Sequence, residues 1–229
     1  YFINFAAQSF VAGSWDYPIQ TWDTDADAVL HILESIRRFA PACRFYNAGS
    51  SEEFGDVISE MQDEEHPLRP QSPYGASKCA ARHIVRVYRE SYDLYAIQGW
   101  LFNHEGSRRG TEFVTRKITR ALCNISQGLE KCLHIGNMDA MRDWGHARDY
   151  VKMQWLMLQQ DEPDDFCIAT GIQFSVRDFV NLAWGYLGKT IHWKGEGVDE
   201  KGYDTETGNL IVVVDSRYFR PTEVDRLLG

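Results

Sequence analysis

The sequence predicts an α/β fold: a parallel sheet covered by helices, with a smaller lobe assembled from the later part of the chain. Three observations predict it. Apolar runs, YFINFAAQS, CRFYNAGS and LYAIQGWLFN, alternate with helical patterns long enough for a parallel crossover. Each run passes at its carboxyl end into small and polar residues, the place where open parallel sheets bind ligands. After residue 104 the alternation loosens into shorter strands and charged, glycine-bearing segments.

In chain order, YFINFAAQS is aromatic and branched and reads as a buried strand; its abrupt opening implies that the start of a longer protein is missing. TDADAVLHILESIRRF sets Val29, Ile32, Leu33 and Ile36 on one helical face. CRFYNAGS is the next strand, and SEMQDEEHPLRPQSP an acidic loop. Pro73 holds Ser72 extended and suits a first helical turn, and SKCAARHIVRVYRESY has a helical apolar period. Tyr74 and Lys78 therefore share a face one turn apart. LYAIQGWLFN is the third strand.

Next, NHEGSRRGTE reads as a loop and FVTRKITRALCNIS as a helix. LEKCLHIGN and DDFCIAT supply strands on either side of the helix RDYVKMQWLMLQQ, whose tryptophan and methionines read as core. SVRDFVNLAWGYLG opens on a capping box, Ser175 with Asp178, and ends near Gly188. WKGEGVDEKGYDTETGN is expected to be mobile. The closing IVVVDSRYFRPTEVDRLLG gives a strand, an arginine-bearing turn and the start of another element.

Lys and Arg number 24 against 33 Asp and Glu, a net charge of −9, which favours a soluble protein and disfavours nucleic-acid backbone binding. The five cysteines form no CxxC pair and fit a reduced interior. No apolar stretch is long enough to cross a membrane, and the cytoplasm is the expected location. The seven histidines are scattered and form no HExxH motif, so no metal is expected.

Candidate chemistry sits at the strand ends. Ser50 can hydrogen-bond a substrate oxygen and Glu52 can move a proton, although Ser50-Ser51-Glu52 is equally what a solvated cap requires. Tyr74 and Lys78 suit a phenolic base beside an ammonium, or a chance pair flanking a turn. His104, Arg108 and Arg109 suit phosphate and ribose, or a salt-bridged surface loop. Arg142, Arg220 and Glu223 suit a sugar nucleotide as a group, and structural roles singly.

Taken together, FAAQS, RFYNAGSSEEFG, RPQSPYGASK, LFNHEGSRRG, EFVTRKITRA, IGNMDAMRDWGHARDYV, MLQQDEPDDFCIATG and YFRPTEVDRLLG resemble the extended short-chain dehydrogenase/reductase family, specifically its 4,6-dehydratases acting on GDP-mannose. The resemblance runs from residue 1 to residue 229. It implies a Rossmann-like sheet whose glycine-loop unit is missing at the N-terminus and a smaller C-terminal substrate-binding lobe. Residues 1–105 would be a partial NADP-binding domain carrying the catalytic groups. Residues 106–229 would be a mixed region serving both that core and the nucleotide-sugar lobe. The implied catalytic residues are Ser50, in place of the family's usual threonine, with Glu52, Tyr74 and Lys78. Cofactor contacts fall on Phe5, Ala6, Ala7, Gln8, Ser9, Lys78, His104 and Arg109, and substrate contacts on Asn103, Arg142, Arg220 and Glu223. NADP is the implied cofactor, GDP-mannose the substrate, GDP-fucose biosynthesis the setting, and a homodimer or homotetramer the assembly. The alternatives are another nucleotide-sugar dehydratase or epimerase, or a catalytically silent binding fragment. Two departures stand out: Phe10 replaces a common histidine, and Gly106-Ser107 removes a proline restriction from the arginine loop.

Overall fold

The structure, a computed structural model, describes residues 1–229. In order, the elements are β1 (Phe2–Asn4), α1 (Gly13–Asp16), α2 (Pro18–Trp22), a π-turn at Asp23–Asp27, α3 (Ala28–Phe39), β2 (Phe45–Ala48) and a 3-10 turn at Ser51–Glu53. There follow α4 (Pro73–Tyr92), β3 (Ala96–Leu101), β4 (Asn103–Glu105), α5 (Val114–Ser126), β5 (Leu133–Ile135), β6 (Met141–His146), α6 (Ala147–Met157) and β7 (Phe166–Ile168). The chain ends with β8 (Gln173–Ser175), α7 (Val176–Gly185), β9 (Ile191–Lys194), β10 (Lys201–Asp204), β11 (Leu210–Val214) and β12 (Arg226–Leu227). No helix is long and apolar enough to cross a membrane.

The chain divides into two compact units with interleaved segments. One comprises Tyr1–Gly106, Asp143–Ile172 and Leu227–Gly229, the other Ser107–Arg142 and Gln173–Arg226.

The first unit is built on a parallel sheet in the order β1-β2-β3-β7. Central β3 is buried along its whole length, as a parallel strand covered on both faces must be. Because side chains alternate along a strand, Phe45 and Ala96 face Val29, Leu33, Ile36, Ala81, Val85 and Tyr88 of α3 and α4, while Tyr46 and Ile97 face Tyr150, Met157 and Leu158. The predicted stripe on α3 is thus the packed one. The buried carboxylate of Asp165 pins this sheet: it accepts two hydrogen bonds from Arg89, at 2.9 and 3.1 Å, and one from Gln98 N–H at 2.8 Å.

Four expectations change. The first strand, expected buried, pairs with β2 alone among these 229 residues, where Phe2 and Ile3 are 42% and 41% exposed. Asn103–Glu105, expected in a loop, pair in parallel with Trp144–His146, a strand too polar to stand out in the sequence. On α6 the buried stripe is Tyr150, Gln154 and Met157, so Met153 and Trp155 lie on the exposed face instead of in the core. The glycine-rich stretch expected to be mobile contributes strands to the second unit's sheet, ordered β5-β11-β10-β9, in which β10 pairs antiparallel with both neighbours. Asp204 closes the following turn by accepting from Thr207 N–H and Oγ1, each at 2.8 Å. The capping box of α7 forms as expected, Asp178 N–H donating to Ser175 Oγ and Ser175 N–H to Asp178 Oδ2.

Candidate active site

The first unit gathers reactive groups at the carboxyl ends of its strands. The chain leaves β2 through Gly49 and enters the 3-10 turn with Ser50 as its cap, Ser50 Oγ accepting from Glu52 N–H at 3.2 Å. Helix α4 starts just as locally: Ser72 Oγ accepts from Gly75 N–H at 3.0 Å, and Pro73 occupies the first helical position, where no N–H is needed. Tyr74 and Lys78 then fall on one face and are both buried. The Lys78 ammonium lies 5.8 Å from the centre of the Tyr74 ring and donates to the Ala48 carbonyl at 3.0 Å. The Ser50 hydroxyl faces the Tyr74 phenol closely enough to pull its pKa down.

Electrostatics modify the expectation for Tyr74. Burial pushes its phenol up, the Ser50 hydroxyl opposes that, and the charges of Asp25, Glu52 and Glu53 push it further up. The resting phenol is therefore protonated, and the lysine does not offset these effects. Burial lowers Lys78, while Asp25 and Glu53 hold its charge.

The remaining candidate residues divide between the units. In the first, Asn4 Oδ1 accepts from Ala6 N–H and Asp25 Oδ1 from Gln8 N–H, which anchors the Phe5–Ser9 segment after β1. The Gln8 side chain is spent within the first unit, donating to Phe10 O and to Thr21 Oγ1 of α2. Asn103 and His104 lie on β4; the His104 ring stacks on Tyr150 with centroids 4.7 Å apart, and its Nδ1 is 2.9 Å from Phe102 O. In the second unit, the Arg109 guanidinium covers the Phe113 ring at 3.6 Å. Arg142 is buried and donates to Met141 O at 2.8 Å, and Arg220 N–H donates to Glu223 Oε1 at 3.2 Å. That unit also holds a cavity of about 310 Å³ lined by Lys117, Arg120, Asn124, Glu130, His134 and Tyr218.

Sequence reasoning missed Asp25 and Glu53, both fully buried. Burial raises each carboxyl, Glu53 to about 7. For Glu53 a signal existed: Ser50-x-x-Glu53 has capping-box spacing, and Glu53 Oε1 accepts from Ser50 N–H at 2.8 Å. Asp25 sits in an acidic run, DTDAD, that reads as solvated; the π-turn turns it inward.

A family model described as GDP-mannose 4,6 dehydratase matches residues 1–229. The chain belongs to the GDP-mannose 4,6-dehydratase family. A GDP-mannose 4,6-dehydratase of Vibrio cholerae is 53% identical over 238 aligned positions, covering 99% of this chain and 64% of that protein. The Homo sapiens GDP-mannose 4,6 dehydratase is 49% identical over 228 positions, covering 99% of this chain and 61% of that one. The chain thus spans under two thirds of these curated family members, 64% and 61% of their lengths. Among solved structures, RMD from Pseudomonas aeruginosa complexed with NADPH superposes with a TM-score of 0.81 at 21% identity, covering 99% of this chain and 70% of that one. The dTDP-glucose 4,6-dehydratase of Bacillus anthracis in complex with NAD gives 0.76 at 23% identity, covering 99% and 62%. At such identities these two establish the Rossmann-like fold of the GDP-mannose 4,6-dehydratase family chain and nothing finer.

Proposed function

We propose that the intact protein is a GDP-mannose 4,6-dehydratase, converting GDP-mannose to GDP-4-keto-6-deoxymannose with loss of one water. The observation that carries this reading is the buried Tyr74 and Lys78 pair on one face of α4, its phenol acted on by the Ser50 hydroxyl and the Glu52 charge. Family members of that name, aligned over 99% of the chain, support it.

A phenol and an ammonium together at the ends of parallel strands fit the nicotinamide ribose of a dinucleotide, and NADP is the proposed cofactor. The Phe5–Ser9 segment, Lys78 and His104 would hold it, and Arg109 is a further proposed contact. When bound, it supplies hydride acceptance at C4 and hydride return at C6, so none is consumed. Tyr74, neutral at rest, would take the C4 hydroxyl proton as the phenolate, the form that a bound cationic nicotinamide beside the Lys78 ammonium favours, while Ser50 hydrogen-bonds that oxygen. The C4 ketone acidifies the C5 proton; Glu52 removes it and passes a proton to the departing C6 hydroxyl, which leaves as water, and a proton from the site returns to C5 as hydride returns to C6, offsetting the one Tyr74 took from the C4 hydroxyl. Asn103, Arg142, Arg220 and Glu223 are the proposed sugar-nucleotide contacts, and the cations Lys117 and Arg120 in the second unit's cavity suit a diphosphate. A homodimer or homotetramer in the cytoplasm completes the proposal; five free thiols suit a reducing compartment.

The test is mass analysis of the nucleotide sugar after incubating the intact protein with GDP-mannose and NADP+. Loss of one water without net cofactor reduction is expected, and Tyr74→Phe should cut the rate by about 100-fold to 10,000-fold. Unchanged GDP-mannose with a protein that binds NADP would overturn the substrate assignment.

A further inference from the structure

Glu53 has no solvent exposure, and the chemistry proposed above gives it no task. Its Oε1 accepts from Ser50 N–H at 2.8 Å and from Gln98 Nε2 at 2.9 Å, while its Oε2 is buried without a hydrogen-bond partner. Gln98 Oε1 accepts from Asn47 Nδ2 at 2.7 Å, Asn47 Oδ1 from Asn4 Nδ2 at 2.8 Å, and Asn4 Oδ1 from Ala6 N–H at 3.2 Å. The sheet register makes this possible, because Asn4, Asn47 and Gln98 are partners on one rung of β1, β2 and β3. An unbroken line of side chains therefore joins the Ser50 segment to the Phe5–Ser9 segment.

Every donor in that line points toward Glu53. A carboxylate only accepts, so Gln98 must show it the amide NH2 and turn its carbonyl to Asn47, which does the same toward Asn4. Bonds arranged head to tail polarise one another, and a charge at one end strengthens them all. A protonated carboxyl also donates, which leaves the sense set only from the far end, where the Ala6 N–H can only donate to Asn4 Oδ1, and removes the charge that strengthens the line. Room for the arrangement comes from Gly49: a Cβ there would lie 2.7 Å from Glu53 Oε1 and 2.6 Å from Gln98 Nε2. The charges facing Glu53 are Lys78 and Arg82 on α4, which favour its ionised form, and Asp165 ahead of β7, which opposes it; burial opposes it most. Asp25 on the π-turn shares Lys78 with it, and Tyr74 and Cys79 on α4 feel its charge.

We propose that Glu53 is a positioning residue whose protonation state couples the Ser50 segment to the Phe5–Ser9 segment through the amide chain of Gln98, Asn47 and Asn4. Ionised, it polarises the chain in the sense that the Ala6 N–H also demands and holds both segments tightly; neutral, it loosens them. The catalytic meaning of the coupling rests on the function proposed above, but the coupling itself does not.

The test follows the backbone amide resonances of Ser50 and Ala6 in the intact protein from about pH 5 to about pH 9, a window that brackets an elevated carboxyl. Both should shift with one midpoint near neutrality, and Glu53→Gln, which keeps an acceptor oxygen and the side-chain volume, should flatten both. Asn47→Leu, which cuts the chain without touching Glu53, should leave Ser50 titrating and Ala6 flat. Separate midpoints, a midpoint that survives Glu53→Gln, or an Ala6 shift that survives Asn47→Leu would each overturn the proposal. In turnover, Glu53→Gln should lower kcat about tenfold at neutral pH, leave KM within about twofold and remove the wild-type limb near neutrality; an unchanged profile overturns the catalytic role. A wild type without GDP-mannose turnover would defeat the proposed function, and the amide titration would still decide the coupling.

Discussion

The Lys78 ammonium donates to the Ala48 carbonyl oxygen at 3.0 Å, which ties the first turns of α4 to the end of β2 and seats the charge between Asp25 and Glu53. Lys78 thus has a structural bond and an electrostatic one besides any contact with a ligand.

Lys78→Met should therefore fail twice. Turnover of GDP-mannose by the intact protein should fall about 100-fold or more, and the two buried carboxyls left without their counter-charge should cost about 3–5 kcal/mol in urea unfolding. Turnover within about twofold of wild type would refute the assigned role.

Glu52→Gln should separate the two halves of the reaction. The half-exposed carboxyl is the proposed base for C5, so mass analysis should find 4-keto sugar nucleotide that retains its C6 hydroxyl, with little dehydrated product. Equal proportions of every species in variant and wild type would count against this division.

Asp165→Ala should destabilise the first unit without touching the reactive groups. It takes the counter-charge from the part-buried Arg89 guanidinium, which keeps only the Ala96 carbonyl, and strands the buried Gln98 N–H, at a cost of about 3 kcal/mol. Denaturant unfolding measures it, and a loss below about 1 kcal/mol would mean that the pair is not holding the sheet.

Glu53 should leave a signature in stability against pH. Burial raises its carboxyl from 4.5 to about 7, so the folded chain binds the proton more tightly than the unfolded one. Its stabilising contribution is complete below the ordinary value and fades as pH rises through about 7. Relative to Glu53→Gln, the unfolding free energy of wild type should decline by on the order of 3 kcal/mol across that window. Asp25, raised in the same direction, is present in both proteins and cancels. A difference that stays constant with pH would show that Glu53 does not titrate there.

Much of this was legible in local patterns because local rules set them. The α3 stripe, the Ser175 and Asp178 capping box, and the Ser72-Pro73 start of α4 depend on residues within a turn or two of one another. The strands β4 and β6 were not legible: their polar residues are held by pairing with each other, which no local preference announces.

By itself the sequence determined the main helices and the apolar strands, the shared face of Tyr74 and Lys78, and the family to which the ordered motifs belong. Only the tertiary structure decided what surrounds that pair. Asn4, Asn47 and Gln98 are far apart in the chain and meet because parallel strands pair in one register. Glu53 and Asp25 look like solvated acids until the sheet and α4 close over them, and burial then raises their carboxyls and commits them to Lys78. The physical reason is that desolvation and register are properties of the assembled sheet, whereas helical face and cap are properties of a few successive residues.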